Sequence, residues 1–149
     1  LDPQQRQPAY LCGRLFAVLE DLQRAALGKT NSTIADRFMG TASSAPASVF
    51  GRLLRGAQPH LQSLRKTNEP AYFALQDRIA DILQHLPSFP MLLDLKEQGT
   101  FALGYYHQRH QTRAEIRERK ELKALASLID TSSSNTASSD ETASEHETA

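Results

Sequence analysis

The chain has 149 residues, 40% hydrophobic and 23% charged, enough for one domain whose core needs no disulfide staples. No apolar run approaches the ~20 residues of a membrane span, and the opening LDPQQRQPAY lacks the parts of a signal peptide. The single cysteine, Cys12, excludes a disulfide framework and points to a reducing, cytoplasmic setting. The formal net charge of zero is unevenly spread: residues 1–129 hold all 17 Lys and Arg with 12 acids, while residues 130–149 hold the other five acids.

In chain order, residues 1–8 read as an N-terminal extension that opens on Leu1 and not Met, which leaves a segment of a longer protein and an unusual start codon both open. In AYLCGRLFAVLEDLQRAAL, Leu11, Leu15, Val18 and Leu22 repeat at helical spacing and form one apolar seam. GKTNST breaks that helix, and Ser32 or Thr33 can cap a short helix carrying Ile34 and Phe38. After GTASSAP, Ser43 or Ser44 can cap a helix with Pro46 in its first turn, running through ASVFGRLLRGAQPHLQSLRK, with Pro59 expected to kink or divide it. Asn68 and Pro70 open the next helix, in which Tyr72, Leu75, Ile79, Ile82, Leu83 and Leu86 keep helical spacing until PSFP ends it. A further helix begins near Asp94, and TRAEIRERKELKALASLI either continues it or adds a charged helix of Glu-to-Lys and Glu-to-Arg pairs.

No stretch alternates like a strand. The expected fold class is all-α, a compact bundle of about five or six helices. It comprises a helical domain over 9–110, a charged helix over 111–129 and an acidic Ser/Thr-rich tail over 130–149. That tail has too little apolar surface to offset its ordering entropy and is read as disordered.

The most informative charge feature is an absence. Residues 37–68 contain no Asp or Glu, yet they hold Arg37, Arg52, Arg55, Arg65 and Lys66. At about 100° per residue, Arg52, Arg55 and Lys66 fall within roughly a 60° arc, with Phe50, Leu53, Leu54, Ala57, Leu61 and Leu64 opposite. One face is then basic and the other buried. Such a stripe suits a polyanion, because each paired phosphate releases counterions, although a solvated face explains it as well.

The stretch TFALGYYHQRH sets His107 and His110 on one helix face. A zinc site needs three or four ligands, and Cys12, His60, His85 and His146 show no matching spacing. No nucleophile elbow or phosphate-binding glycine loop is present either, so neither metal, cofactor nor catalysis is expected. Gly99 and Gly104, each costing about 1 kcal/mol in a helix, suggest close approach of another backbone. With Tyr105, Tyr106, His107 and Arg109, they form a packing surface facing either the chain's own bundle or a neighbouring subunit.

Three long stretches, AYLCGRLFAVLEDLQ, DRFMGTASSAPASVFGRLLRGAQPHLQSLRK and FPMLLDLKEQGTFALGYYHQRH, together resemble a known family. They are similar to the C-terminal helical region of the large subunit of type I-C CRISPR surveillance complexes (Cascade), over about residues 9–110. In that subtype the region is also made alone, by internal translation, as the small subunit. The resemblance implies a non-catalytic subunit in antiviral defence that partners the large subunit, the backbone subunits and a second copy of itself. Such subunits line the belly of the complex beside the guide RNA and hold opened target DNA, chiefly the displaced non-target single strand, which stabilises the R-loop. The nucleic-acid contacts implied are Arg37, Arg52, Arg55, Arg65 and Lys66, with Arg24, Lys29 and His60 as lesser ones. A protein spacer and a large-subunit fragment stay open as alternatives. Two departures touch the basic helix: Gly51 stands where the family commonly has proline, and Pro59 precedes His60.

Overall fold

Pro8 occupies the first turn of α1 (Pro8–Leu27), where its missing N–H leaves no bond unmade. All residues from 9 to 20 are buried, and so is Leu22, which completes the expected seam, so α1 is enclosed on every side over residues 9–20. It ends at Gly28, whose φ of 69° lies in the left-handed region that glycine enters without strain. The structure, a computed structural model, describes residues 1–2 and 4–136, with side chains through residue 134. Among the described residues four more helices follow: α2 (Ile34–Ser44), α3 (Phe50–Thr67), α4 (Glu69–Gln84) and α5 (Leu95–Thr136), with a 3-10 turn over Pro46–Ser48. Among the described residues there is no strand, and the fold class is all-α as expected.

Leu1–Gln111 form one compact unit, in which α2, α3, α4 and the first part of α5 pack on α1. Its centre is aromatic. The Phe16 ring lies 6.3 Å from Phe50, 6.0 Å from Phe101 and 5.9 Å from Tyr105, and Phe50 stacks on Phe89 at 4.9 Å. Aromatic pairs at such spacings add to the burial of their area. The connection before α5 is stitched to the end of α2 and the turn that follows it, with the Ala47 N–H donating to the Pro90 carbonyl and the Leu93 N–H to that of Ser44.

Where α1 crosses α5 the two backbones meet directly. A Cβ on Gly13 would run into the Phe101 carbonyl and the Tyr105 nitrogen, and one on Gly104 into the Tyr10 carbonyl. Gly104 therefore admits another backbone, as its place in the helix suggested. Gly99 does not: it is exposed, with open space around its Cα. Around the crossing, Tyr105 OH donates to Glu20 Oε2 at 2.6 Å and Arg14 Nε donates to Gln108 Oε1 at 3.0 Å, which satisfies polar groups that burial would otherwise penalise.

Several expected boundaries shift for local reasons. Ser43 and Ser44 do not cap a following helix; both hydroxyls donate back to the Gly40 carbonyl and close the end of α2. Pro46 starts the 3-10 turn, and α3 begins only at Phe50. Pro59 does not divide α3: it is exposed, on the side where water can serve the carbonyl that its ring leaves without a donor. Gly51 lies in the first turn of α3, a position where proline also fits, so this departure leaves the basic helix in place.

The second unit begins at Thr112 and, over its described residues, is the charged C-terminal part of α5. Helix persists through residues 130–136, beyond the expected limit at 129, with the hydroxyls of Thr131, Ser132 and Ser134 donating back to helical carbonyls. The rest of the expected disordered tail, residues 137–149, lies outside the described residues.

The two helical glycines of α5 are therefore expected to respond oppositely to alanine. Gly104→Ala forces one backbone off another and lowers stability by about 2–3 kcal/mol or more, whereas Gly99→Ala raises it by about 0.5–1 kcal/mol through helix propensity. Urea unfolding of the full chain measures both; equal shifts would mean that the crossing is looser than described.

Candidate nucleic-acid interface

Two anchors fix where α2 lies. Thr33 caps its N-terminus: the Asp36 N–H donates to Thr33 Oγ1 while the Thr33 N–H donates to Asp36 Oδ2 at 2.8 Å, a reciprocal capping box. The Ile34 N–H then donates to Oε1 of Gln23, a buried residue of α1, at 3.0 Å. So anchored, α2 packs Ile34 and Phe38 against the core and brings Arg37 beside α3.

There, Arg37 and Arg52 converge on one ring. Their guanidinium carbons lie 5.3 Å and 5.5 Å from the Phe38 centroid, so one aromatic holds two cations from two helices. Between α1, α2 and α3 opens a cavity of about 220 Å³, with Leu19, Leu53 and Ala57 as buried apolar wall and Arg37, Arg52 and His60 as polar wall. Arg55 and Lys66 are exposed elsewhere on α3, and Arg65 reaches over Tyr72 of α4 at 5.8 Å. Among the described residues none of Arg37, Arg52, Arg55, Arg65 and Lys66 forms an ion pair. Their positive charge stays unneutralised by the fold.

The remaining basic candidates are placed differently. Arg24 is shared between Glu20 at 3.4 Å and Asp21 at 3.0 Å, so much of its charge is already balanced. Lys29 is exposed on the loop between α1 and α2. The nearest acid to the paired arginines in sequence, Asp36, is occupied by its cap. The Thr33 backbone N–H, then the Thr33 hydroxyl, hold its carboxyl below the usual carboxylate range.

The histidine pair separates into two situations. His107 Nδ1 lies 2.9 Å from Tyr10 OH, with the rings edge to face at 5.8 Å, while His110 is exposed. Among the described residues no group of three His, Cys, Asp or Glu is placed to hold a metal ion. Tyr105 is buried between Glu20 and Arg109, and its phenol is pushed well above its ordinary range, by desolvation first and by Glu20 second. Tyr106 is 63% exposed. Burial likewise pushes the Cys12 thiol up to about 12, so at neutral pH it is a thiol and not a thiolate.

Sequence reasoning missed Phe38 as part of this site, naming it only as a residue carried by the short helix after Thr33. Its signal was present: an aromatic next to Arg37, at the start of the acid-free stretch. Gln23 left no such signal, because a glutamine in a helix does not reveal that it will accept from another helix's first N–H.

Asp36 supplies a pH test. Its pKa is lowered on folding, so its contribution is fully present above the ordinary carboxylate pKa of about 3.9 and is lost as pH falls through the lower folded value. The stability difference between the native chain and Asp36→Ala, followed by circular dichroism during thermal unfolding, is expected to be open at pH 7 and to narrow steadily below pH ~4. A pH-independent difference would contradict the cap.

A family model described as CRISPR-associated protein (Cas_Csd1) matches residues 1–113 of the chain. No curated protein matches it.

Proposed function

We propose a function on the premise which that match establishes: the chain belongs to the Cas_Csd1 family of CRISPR-associated proteins. It is the small, non-catalytic subunit of a type I-C surveillance complex, acting in the cytoplasm without a metal or cofactor. Its task is to hold nucleic-acid backbone beside the guide RNA, above all the displaced non-target strand of an opened target. Its partners are the large subunit, the backbone subunits and a second copy of itself. Guide pairing reads the sequence, and strand exchange is nearly balanced, so modest phosphate contacts from this subunit can tip it toward the open state.

One observation carries this reading: the five cations of the acid-free stretch, Arg37, Arg52, Arg55, Arg65 and Lys66, make no ion pair among the described residues. A fold that needed those charges for itself would have paired them. Unpaired and exposed, they fit phosphates, each released counterion adding affinity without sequence preference.

A second reading, a protein spacer in the complex, is favoured by a different feature. Met91, Leu92 and Leu95, at the entrance to α5, are 79%, 78% and 85% exposed, an apolar patch that suits a protein neighbour. The two roles are compatible in one subunit, since the patch lies outside the acid-free stretch.

The test is target-DNA opening by a complex assembled without its small subunit, before and after adding back this chain. The native chain is expected to restore opening. A chain carrying both Arg52→Glu and Arg55→Glu, still incorporated, restores it about tenfold less well or worse, and lowers the salt slope of strand binding by about 1.4. Equal rescue by both would leave the spacer reading alone standing.

A further inference from the structure

The cavity between α1, α2 and α3 has a size that narrows its ligand. At about 220 Å³ it falls below the roughly 300–1,000 Å³ of sites for drug-sized molecules. It exceeds the ~150 Å³ that suffices to hold a benzene ring. Its walls are of two kinds. Arg37, Arg52 and His60 are polar, whereas Leu19, Leu53 and Ala57 form a buried apolar wall that a phosphate alone would leave unused. We infer that this cavity receives one unpaired nucleobase of a single strand, with Arg37 and Arg52 gripping the phosphates on either side of it, an assignment that rests on the nucleic-acid reading of this site.

A base is a flat ring with a polar edge, and the lining answers both parts. The apolar wall and Phe38 give it contact, and the two guanidinium planes near Phe38 can stack on a base as they do on an aromatic ring. A cation–π contact at an exposed site is worth only ~0.5–1 kcal/mol, so Phe38 positions the arginines and still lets them turn toward phosphate. His60 can meet the base edge. Gln23 keeps its Oε1 on the Ile34 N–H, so any hydrogen bond from it to a base comes from its amide nitrogen. A base inside a duplex is stacked on both faces and paired along its edge, and it enters only after extrusion. The cavity therefore selects single strand over double strand, which bare phosphate contacts cannot do.

Gly56 allows the cavity to be closed without touching a charge. It lines the cavity, a Cβ there meets nothing within 4 Å, and it sits in an exposed turn of α3 where losing a glycine favours the helix. Binding of the full chain is measured by fluorescence anisotropy with labelled oligothymidylate, an abasic strand carrying the same number of phosphates, and the corresponding duplex. The native chain is expected to bind oligothymidylate about 5- to 100-fold more tightly than the abasic strand. Gly56→Leu abolishes that preference with abasic binding unchanged, and Phe38→Ala reduces it. Equal binding of both strands by the native chain, or a preference undiminished in Gly56→Leu, overturns the base pocket while the phosphate reading stands. No binding of any strand at low salt overturns both.

Discussion

Everything in the first unit depends on two helices approaching until their backbones touch. Gly13 and Gly104 remove the side chains that would hold α1 and α5 apart, and each presents its Cα to a carbonyl of the other helix. That closeness sets Phe101 and Tyr105 against Phe16 and brings the Tyr105 hydroxyl within hydrogen-bond reach of Glu20. With α5 covering one side of α1 and α2, α3 and α4 the others, α1 becomes enclosed over residues 9–20, while its last turn stays exposed. Its polar residues must then find partners inside the protein: Arg14 finds Gln108, Glu20 finds Tyr105 and Arg24, and Gln23 finds the start of α2. The last of these links the crossing to the candidate site, because Gln23 and the Thr33 cap together decide where Arg37 and Phe38 stand.

Periodicity and capping chemistry made much of this fold legible. The α1 seam, the Thr33 cap and the Asn68 start of α4 follow from residues that act on their own neighbours, and each is found where expected. Local reasoning failed where two local options compete. Ser43 and Ser44 could cap the next helix or close the previous one, and the buried Pro46 with its 3-10 turn favours the second. It failed again where the reason is distant: nothing near Gly13 in the chain announces that Phe101 will lie against it, while Gly99, which reads like Gly104, faces open space.

The candidate site shows the same division. That residues 37–68 lack acids is visible in the chain, and so is the basic arc of α3. The convergence of Arg37 and Arg52 on Phe38 is tertiary, since it joins residues of two helices, whereas the pairing of Arg24 with Glu20 and Asp21 is local to α1, at spacings of four and three. Charge left unneutralised, next to a cavity with an apolar wall, gives this face the two means by which single strands are held: phosphate attraction and ring stacking. The buried tyrosine network around Tyr105 does the opposite work, closing polar groups off from solvent and fixing α5 to α1.

The most direct measurement of the central claim is a photocrosslink from the ring position itself. With p-benzoylphenylalanine in place of Phe38, the chain is assembled into its complex on an opened target whose non-target strand is labelled, and then irradiated. The account predicts a crosslink to that strand, lost when the target is withheld. Crosslinks confined to protein would contradict it and make the Arg37–Phe38–Arg52 face a subunit contact.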